Sequence, residues 1–210
     1  MALQVTGVVL ALALPAAPAG AADSGEALAR RVDARQAGVR DLTARFVQSY
    51  RSGVLGREVT ERGTVSIKKP GLMRWEYREP EKKLFVSDGK QFFFYVPADK
   101  QVIVKAQDSG DQGVAAIVLG GGRILEHFQA FAEEPLPGRE RLRLVPRKPD
   151  SEVQRVYLDV DATARVVAIE VWDAQGGHSR FQFEGLKENV GVKDDAFRFQ
   201  PPAGVEVVTG

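Results

Sequence analysis

Few residues in this chain could do chemistry. There are two histidines, His127 and His178, and no cysteine. The histidines lie far apart, and neither has a partner at metal-ligand spacing, so each reads as a solvated or hydrogen-bonded side chain. Without thiols there is no cysteine nucleophile, zinc–cysteine site, disulfide staple or lipid attachment through an N-terminal thiol. Ser87-Asp88 could begin a triad only with a nucleophile elbow around a serine. No serine has one, and Ser87 comes just before a turn. Gly120-Gly121-Gly122 is not followed by the Lys-Ser or Lys-Thr of a phosphate loop and reads as a hinge beside a helix end. Glu133-Glu134 and Asp194-Asp195 are sequence neighbours, which in extended chain point to opposite faces rather than share one proton. Lys82-Lys83 and the basic run 139–143 read as exposed strand edges that discourage aggregation, or else as a docking patch for an acidic partner. No nucleophile, base and metal set assembles. A lipid hydrolase is the disfavoured alternative, and no catalytic residue, metal or cofactor is expected.

The elements behind these residues are mostly strands. In the stretch 69–101, Met73, Trp75 and Tyr77 alternate with Arg74 and Glu76, the period of a half-buried strand. Asp88-Gly89 separates Leu84-Phe85-Val86 from Gln91-Phe92-Phe93-Phe94-Tyr95-Val96, a strong hairpin signal. That last run is apolar on both faces, whereas an antiparallel sheet usually keeps one face wet. One face is expected in the protein core, and the other under a lid or filled by an apolar ligand. Around this motif the periodicity predicts a helix over 24–39 and strands over 42–50, 59–67 and 102–104, with Gly63 at a bend or bulge. The segment 112–119 is short, small-sided and apolar and reads as a short helix ending at the glycines. Residues 124–131 fit helix or strand equally. A strand–turn rhythm fills 142–186, and a last short strand is expected over 205–208. Many antiparallel strands with few helices predict a mainly β fold, a barrel or strongly curved sheet.

With 210 residues, 29 basic against 28 acidic side chains and a net charge of +1, the chain suits one domain and carries no broad electrostatic footprint for nucleic acid. Residues 1–22 contain no charged side chain, include an apolar run at 8–14 and end in small residues. The run is short for a bilayer span, so a secretory signal peptide cleaved near Asp23 is expected, followed by one soluble domain over 23–210.

The combined pattern resembles the LolA family of periplasmic lipoprotein carriers. The matching pieces are Phe46-x-Gln48, Gly63-x-Val65, Lys69-Pro70 with Trp75, Pro80, Leu84-x-Val86-Ser87-Asp88-Gly89, Phe94-Tyr95-x-Pro97, Gln101-Val102 and the ending Phe197-x-Phe199-x-Pro201-Pro202-x-Gly204-Val205. The resemblance implies an unclosed antiparallel β-barrel of about eleven strands with a helical lid. It implies a periplasmic chaperone, working as a monomer, that binds the acyl chains of lipoproteins. An ATP-driven inner-membrane release complex would load it, and an outer-membrane lipoprotein receptor would unload it. A carrier or sensor of another envelope amphiphile is the alternative of the same class. Carried over by position, Phe46, Val65, Met73, Trp75, Phe92 and Phe94 would line the acyl cavity, and Ala115, Ile117, Val118 and Leu119 would form the lid. Many family members have an arginine associated with lid closure where this chain has Lys69. Lysine lacks arginine's planar fork, so the latch is expected to be weaker here or to use Arg74 instead.

Overall fold

The computed structural model describes residues 24–54, 56–107, 113–121, 123–149 and 152–209. The expected signal segment, residues 1–22, lies outside them. Helix α1 (Gly25–Ala37) begins where Ser24 Oγ accepts a hydrogen bond from Ala27 N–H at 3.2 Å, satisfying one of the free donors of the first turn. Its apolar stripe, Leu28, Ala29 and Val32, is buried against the sheet.

Strands β1 (Asp41–Arg51), β2 (Glu58–Lys68), β3 (Leu72–Glu79), β4 (Lys83–Asp88), β5 (Gln91–Val96) and β6 (Gln101–Ala106) follow as a meander of hairpins. Two short helices, α2 (Val114–Gly120) and α3 (Ile124–His127), lie between this half and the next. The second half runs β7 (Phe128–Leu136), β8 (Arg139–Pro146), β9 (Arg155–Val160), β10 (Val166–Trp172) and β11 (His178–Glu188). A 3-10 turn, Asp194–Phe197, precedes β12 (Glu206–Thr209). Among the described residues, all twelve strands join one sheet in the order β12-β6-β5-β4-β3-β2-β1-β11-β10-β9-β8-β7. Its first and last strands are separate edges, so the barrel is unclosed, as expected. β12 adds a parallel pairing on β6, a departure from an all-antiparallel sheet.

Residues 124–131, ambiguous by periodicity, are both things in turn: a helical turn to His127, then strand from Phe128. At Gly63 the β2–β3 register shifts next to Arg62, the irregularity the glycine signalled. A Cβ there would stand 2.2 Å from the Glu76 carbonyl oxygen and 2.7 Å from the Phe46 ring, so only glycine lets both approach this closely.

The main core lies between α1, α2 and one face of the sheet, built on Leu28, Val32, Phe46, Ile67, Leu142 and Leu158. A second cluster lies on the opposite face. There Phe93, Val86, Val102 and Val104 meet Phe199 and Val205 of the C-terminal segment, and the rings of Phe93 and Phe199 stand 5.5 Å apart. This accounts for the two-faced apolar run of β5. Phe92 and Phe94 point to one side, while Phe93 and Tyr95 are covered from the other by the chain's own end.

Within the basic clusters Lys82 and Arg139 are exposed as expected, but Lys83, Arg141 and Arg143 are paired on interior strands. Arg141 and Arg143 lie on β8, an interior strand. Arg141 bonds Asp159 at 3.3 Å and Glu170 at 2.9 Å, and Arg180 bonds the same two carboxylates. Asp159 is fully buried beneath these arginines; a charge so placed must be paired. Lys83, on interior strand β4, pairs with Glu61.

Candidate functional site

On the concave face of β3 to β5 the register places Trp75 beside Phe85 and Phe85 beside Phe94, with Met73 beside Ser87 and Ser87 beside Phe92. Above them lies α2. Between strands and helix is an apolar cavity of about 250 Å³ lined by Met73, Trp75, Tyr77, Phe85, Phe92, Ala115 and Phe181, with Val86 and Ser87 completing its wall. Its aromatic wall is interlocked: Trp75 meets Phe181 edge-on at 5.3 Å and Phe46 at 5.2 Å. A larger space of about 1170 Å³ adjoins it, sharing Phe85 and Phe92, and extends past Phe94 and Ile103 to Phe128 and the 146–153 segment. Phe85 and Phe94 stack at 4.3 Å along it.

Behind the cavity wall, the Tyr77 hydroxyl joins a polar chain. Tyr77 Oη–H donates to Gln48 Oε1 at 2.7 Å, and Gln48 Nε2 donates to Ser179 Oγ at 2.6 Å. The Lys83 ammonium stands 5.4 Å from the Tyr77 ring centre. Burial, and then the negative charge of Glu61, push the Tyr77 phenol well above its ordinary pKa, so it stays a neutral donor.

The expected site residues divide. Met73, Trp75 and Phe92 face the smaller cavity, as does Ala115 from the lid, while Phe94 and Ile117 face the larger one. Phe46 and Val65 line neither. Each is 1% exposed and packed in the core, where the Phe46 ring supports Trp75 and Tyr77 from behind. Val118 and Leu119 are likewise buried against the body rather than facing the cavity. Tyr77, Phe85 and Phe181 were not singled out. The alternation that marks Met73 and Trp75 also marks Tyr77, and Phe85 is its hairpin neighbour, but Phe181 enters from β11, across β1, with no local signal.

Helix α2, the expected lid, is only seven residues, with no side-chain N-cap, and it ends at Gly121 in the left-handed conformation, φ 83°. Helices this short do not persist alone. Packing of Ile117, Val118 and Leu119 holds it, at about 1.5–3 kcal/mol for each large side chain buried. Lys69 reaches this point. Its Nζ donates to the Gln36 carbonyl at the end of α1. A Cβ on Gly121 would come within 2.6 Å of that Nζ, so the ammonium lies directly under the end of α2. Desolvation lowers the Lys69 pKa. Arg74 takes no part: it alternates with Trp75, faces the other side of the sheet, and reaches the Ala196 carbonyl at 3.5 Å and Glu76 at 3.6 Å. The alternative latch is therefore misplaced by strand parity alone.

Asp33 also ties α1 to the start of α3, accepting from Ile124 N–H at 3.1 and 3.0 Å. Burial raises its pKa despite that hydrogen bond. His127 lines the larger cavity, and His178 stacks on Trp172 at 4.4 Å. No helix of the described residues is long and apolar enough to cross a membrane.

Residues 37–200 match the family model described as outer membrane lipoprotein carrier protein LolA. An outer-membrane lipoprotein carrier protein of Bordetella pertussis is 36% identical over 200 residues, covering 93% of this chain and 91% of that protein. Its counterpart in Xanthomonas oryzae pv. oryzae is 32% identical over 208 residues, covering 98% and 97%. Among solved structures, an uncharacterized conserved protein from Thermus thermophilus superposes with a TM-score of 0.55 at 16% identity, covering 88% of this chain and 98% of that one, a likeness of fold. An aromatic cavity under a short helix, set in an unclosed sheet with this match along most of its length, leads to one conclusion: the chain belongs to the LolA family.

Proposed function

We propose that this protein is a periplasmic carrier that shelters the acyl chains of lipoproteins between the inner and outer membranes. The supporting observation is the apolar cavity beneath α2, a short uncapped cover that packs on the body and has the Lys69 ammonium beneath its end. Moving each methylene into water costs about 0.8 kcal/mol, so an acylated protein does not cross the periplasm unaided. An empty open cavity would expose a sticky apolar patch. A helix that covers the empty cavity and yields to cargo resolves both difficulties, with cargo favouring the open state.

On this reading residues 1–22 are a signal peptide removed near Asp23, and cargo arrives from an ATP-driven inner-membrane complex and leaves to an outer-membrane receptor. Met73, Trp75, Phe92 and Phe94 contact the chains, Ala115 and Ile117 cover them, Val118 and Leu119 anchor the cover, and Phe46 and Val65 stiffen the floor. Lys69 holds the cover by bridging the ends of α1 and α2. Native mass spectrometry of the protein purified from its own periplasm tests the reading. An acylated polypeptide bound one to one is the expected species. Free lipid as the only bound species would overturn the lipoprotein assignment and leave a carrier of another amphiphile. No bound amphiphile under any loading condition would overturn the carrier class.

A further inference from the structure

The larger cavity differs from the smaller one in its charges. One wall is aromatic, with Phe85, Phe92 and Phe94, and next to Phe92 across the β5–β6 ladder stands Lys105. The opposite wall, from the segment after β8, carries Arg147 and Lys148. All three cations are exposed. Arg147 Nε donates to the Leu125 carbonyl at 2.8 Å, which fixes its guanidinium at the rim. Lys105 and Lys148 have no hydrogen bond or ion pair among the described residues. Two carboxylates share the lining, Glu126 and Glu152. Glu126 is engaged by Arg123 at 2.9 Å, and Glu152 has its own interaction. The cavity thus joins a stacked aromatic strip to two ammonium groups, on opposite walls, that are uncommitted among the described residues.

We infer that this space binds amphiphiles with an anionic head group, a phosphate monoester being the simplest. Lys105 and Lys148 would receive the head from either side while the tail lies along Phe85, Phe92 and Phe94 toward the smaller cavity. Arrangement decides this, since net charge does not: the chain as a whole is close to neutral. Apolar surface supplies affinity for any tail, and exposed cations at the rim select the head. The inference rests on the carrier reading and names a class of cargo beyond acylated polypeptide.

The test is displacement of a fluorescent acyl probe from the full chain by dodecyl phosphate and by dodecyl maltoside, below their micelle concentrations. At low ionic strength the phosphate-headed ligand should displace the probe at roughly tenfold lower concentration, two rim cations contributing a few-fold each. The preference should shrink with added salt and vanish in the Lys105→Gln, Lys148→Gln double variant, whose side chains are both exposed and whose fold can be checked by circular dichroism. Inorganic phosphate at the same concentration should not displace the probe. Equal displacement by the two heads would overturn the inference while leaving the carrier reading intact, with the cations then serving an acidic partner surface. Displacement by inorganic phosphate would replace the amphiphile site with a simple anion site. Failure of both amphiphiles to displace the probe would overturn this inference and the carrier reading together.

Discussion

Leu119→Ala separates a cover from a wall. Leu119 is 1% exposed and docks the end of α2 into the core. Truncating a buried leucine costs about 2–5 kcal/mol, partly transfer and partly the cavity left behind. Because α2 is short and uncapped, much of that loss should fall on the docked state of the helix and not on the sheet. If closure competes with ligand, each 1.4 kcal/mol taken from the closed state raises apparent affinity about tenfold until the open state dominates. A loss of about 2 kcal/mol predicts up to about a 30-fold gain in affinity for a fluorescent acyl probe. The control is Leu142→Ala, equally buried but on β8. It should lower the urea midpoint with no gain in affinity. Both variants are measured by probe titration and urea unfolding. Unchanged or weaker probe binding in Leu119→Ala, with a lowered urea midpoint, would refute the reasoning. Docked α2 would then be part of the binding surface instead of its competitor.

Three further outcomes are expected. Lys69→Ala should raise probe affinity several-fold by removing the ammonium that lies beneath the end of α2 and is anchored on the Gln36 carbonyl of α1, whereas Arg74→Ala should leave probe titrations unchanged. Trp75 lines the cavity and Trp172 does not, so ligand should shift tryptophan emission in Trp172→Phe but not in Trp75→Phe, and Phe92→Ala should weaken probe binding about tenfold or more. Burial alone would raise the Glu170 pKa, but hydrogen bonds from Trp172 and Arg141 and the charges of Arg141 and Arg180 carry it below 4.5. Its stabilising contribution is therefore complete above pH 4.5 and lost as pH falls through the lower folded value. Glu170→Gln should lower the melting temperature by about 2–8 °C near neutrality, with the gap from wild type narrowing in acid.

The sequence by itself determined whatever depends on near neighbours. Period-two alternation marked β1 to β3, Asp88-Gly89 marked the hairpin, and small apolar residues before three glycines marked α2. Each signal is carried by residues within one or two turns of chain, so it survives without knowledge of the fold. The sequence left Arg74 open as a latch, and its contacts with Ala196 and Glu76 on the other face of β3 came from the structure.

Only the tertiary structure decided which apolar faces are core and which are cavity. Phe46 and Trp75 carry the same sequence signal, yet Phe46 is sealed over Gly63 while Trp75 keeps a face open. That difference depends on Phe181 arriving through the β1–β11 pairing, more than a hundred residues downstream. The same holds for Asp159 and its arginines, which look like an ordinary charged strand until four neighbouring strands bring them together, and for Phe93, whose cover is the chain's own C-terminal segment. Periodicity reports that a side chain has a buried face. What lies against that face is set by closure of distant strands, which no local pattern encodes.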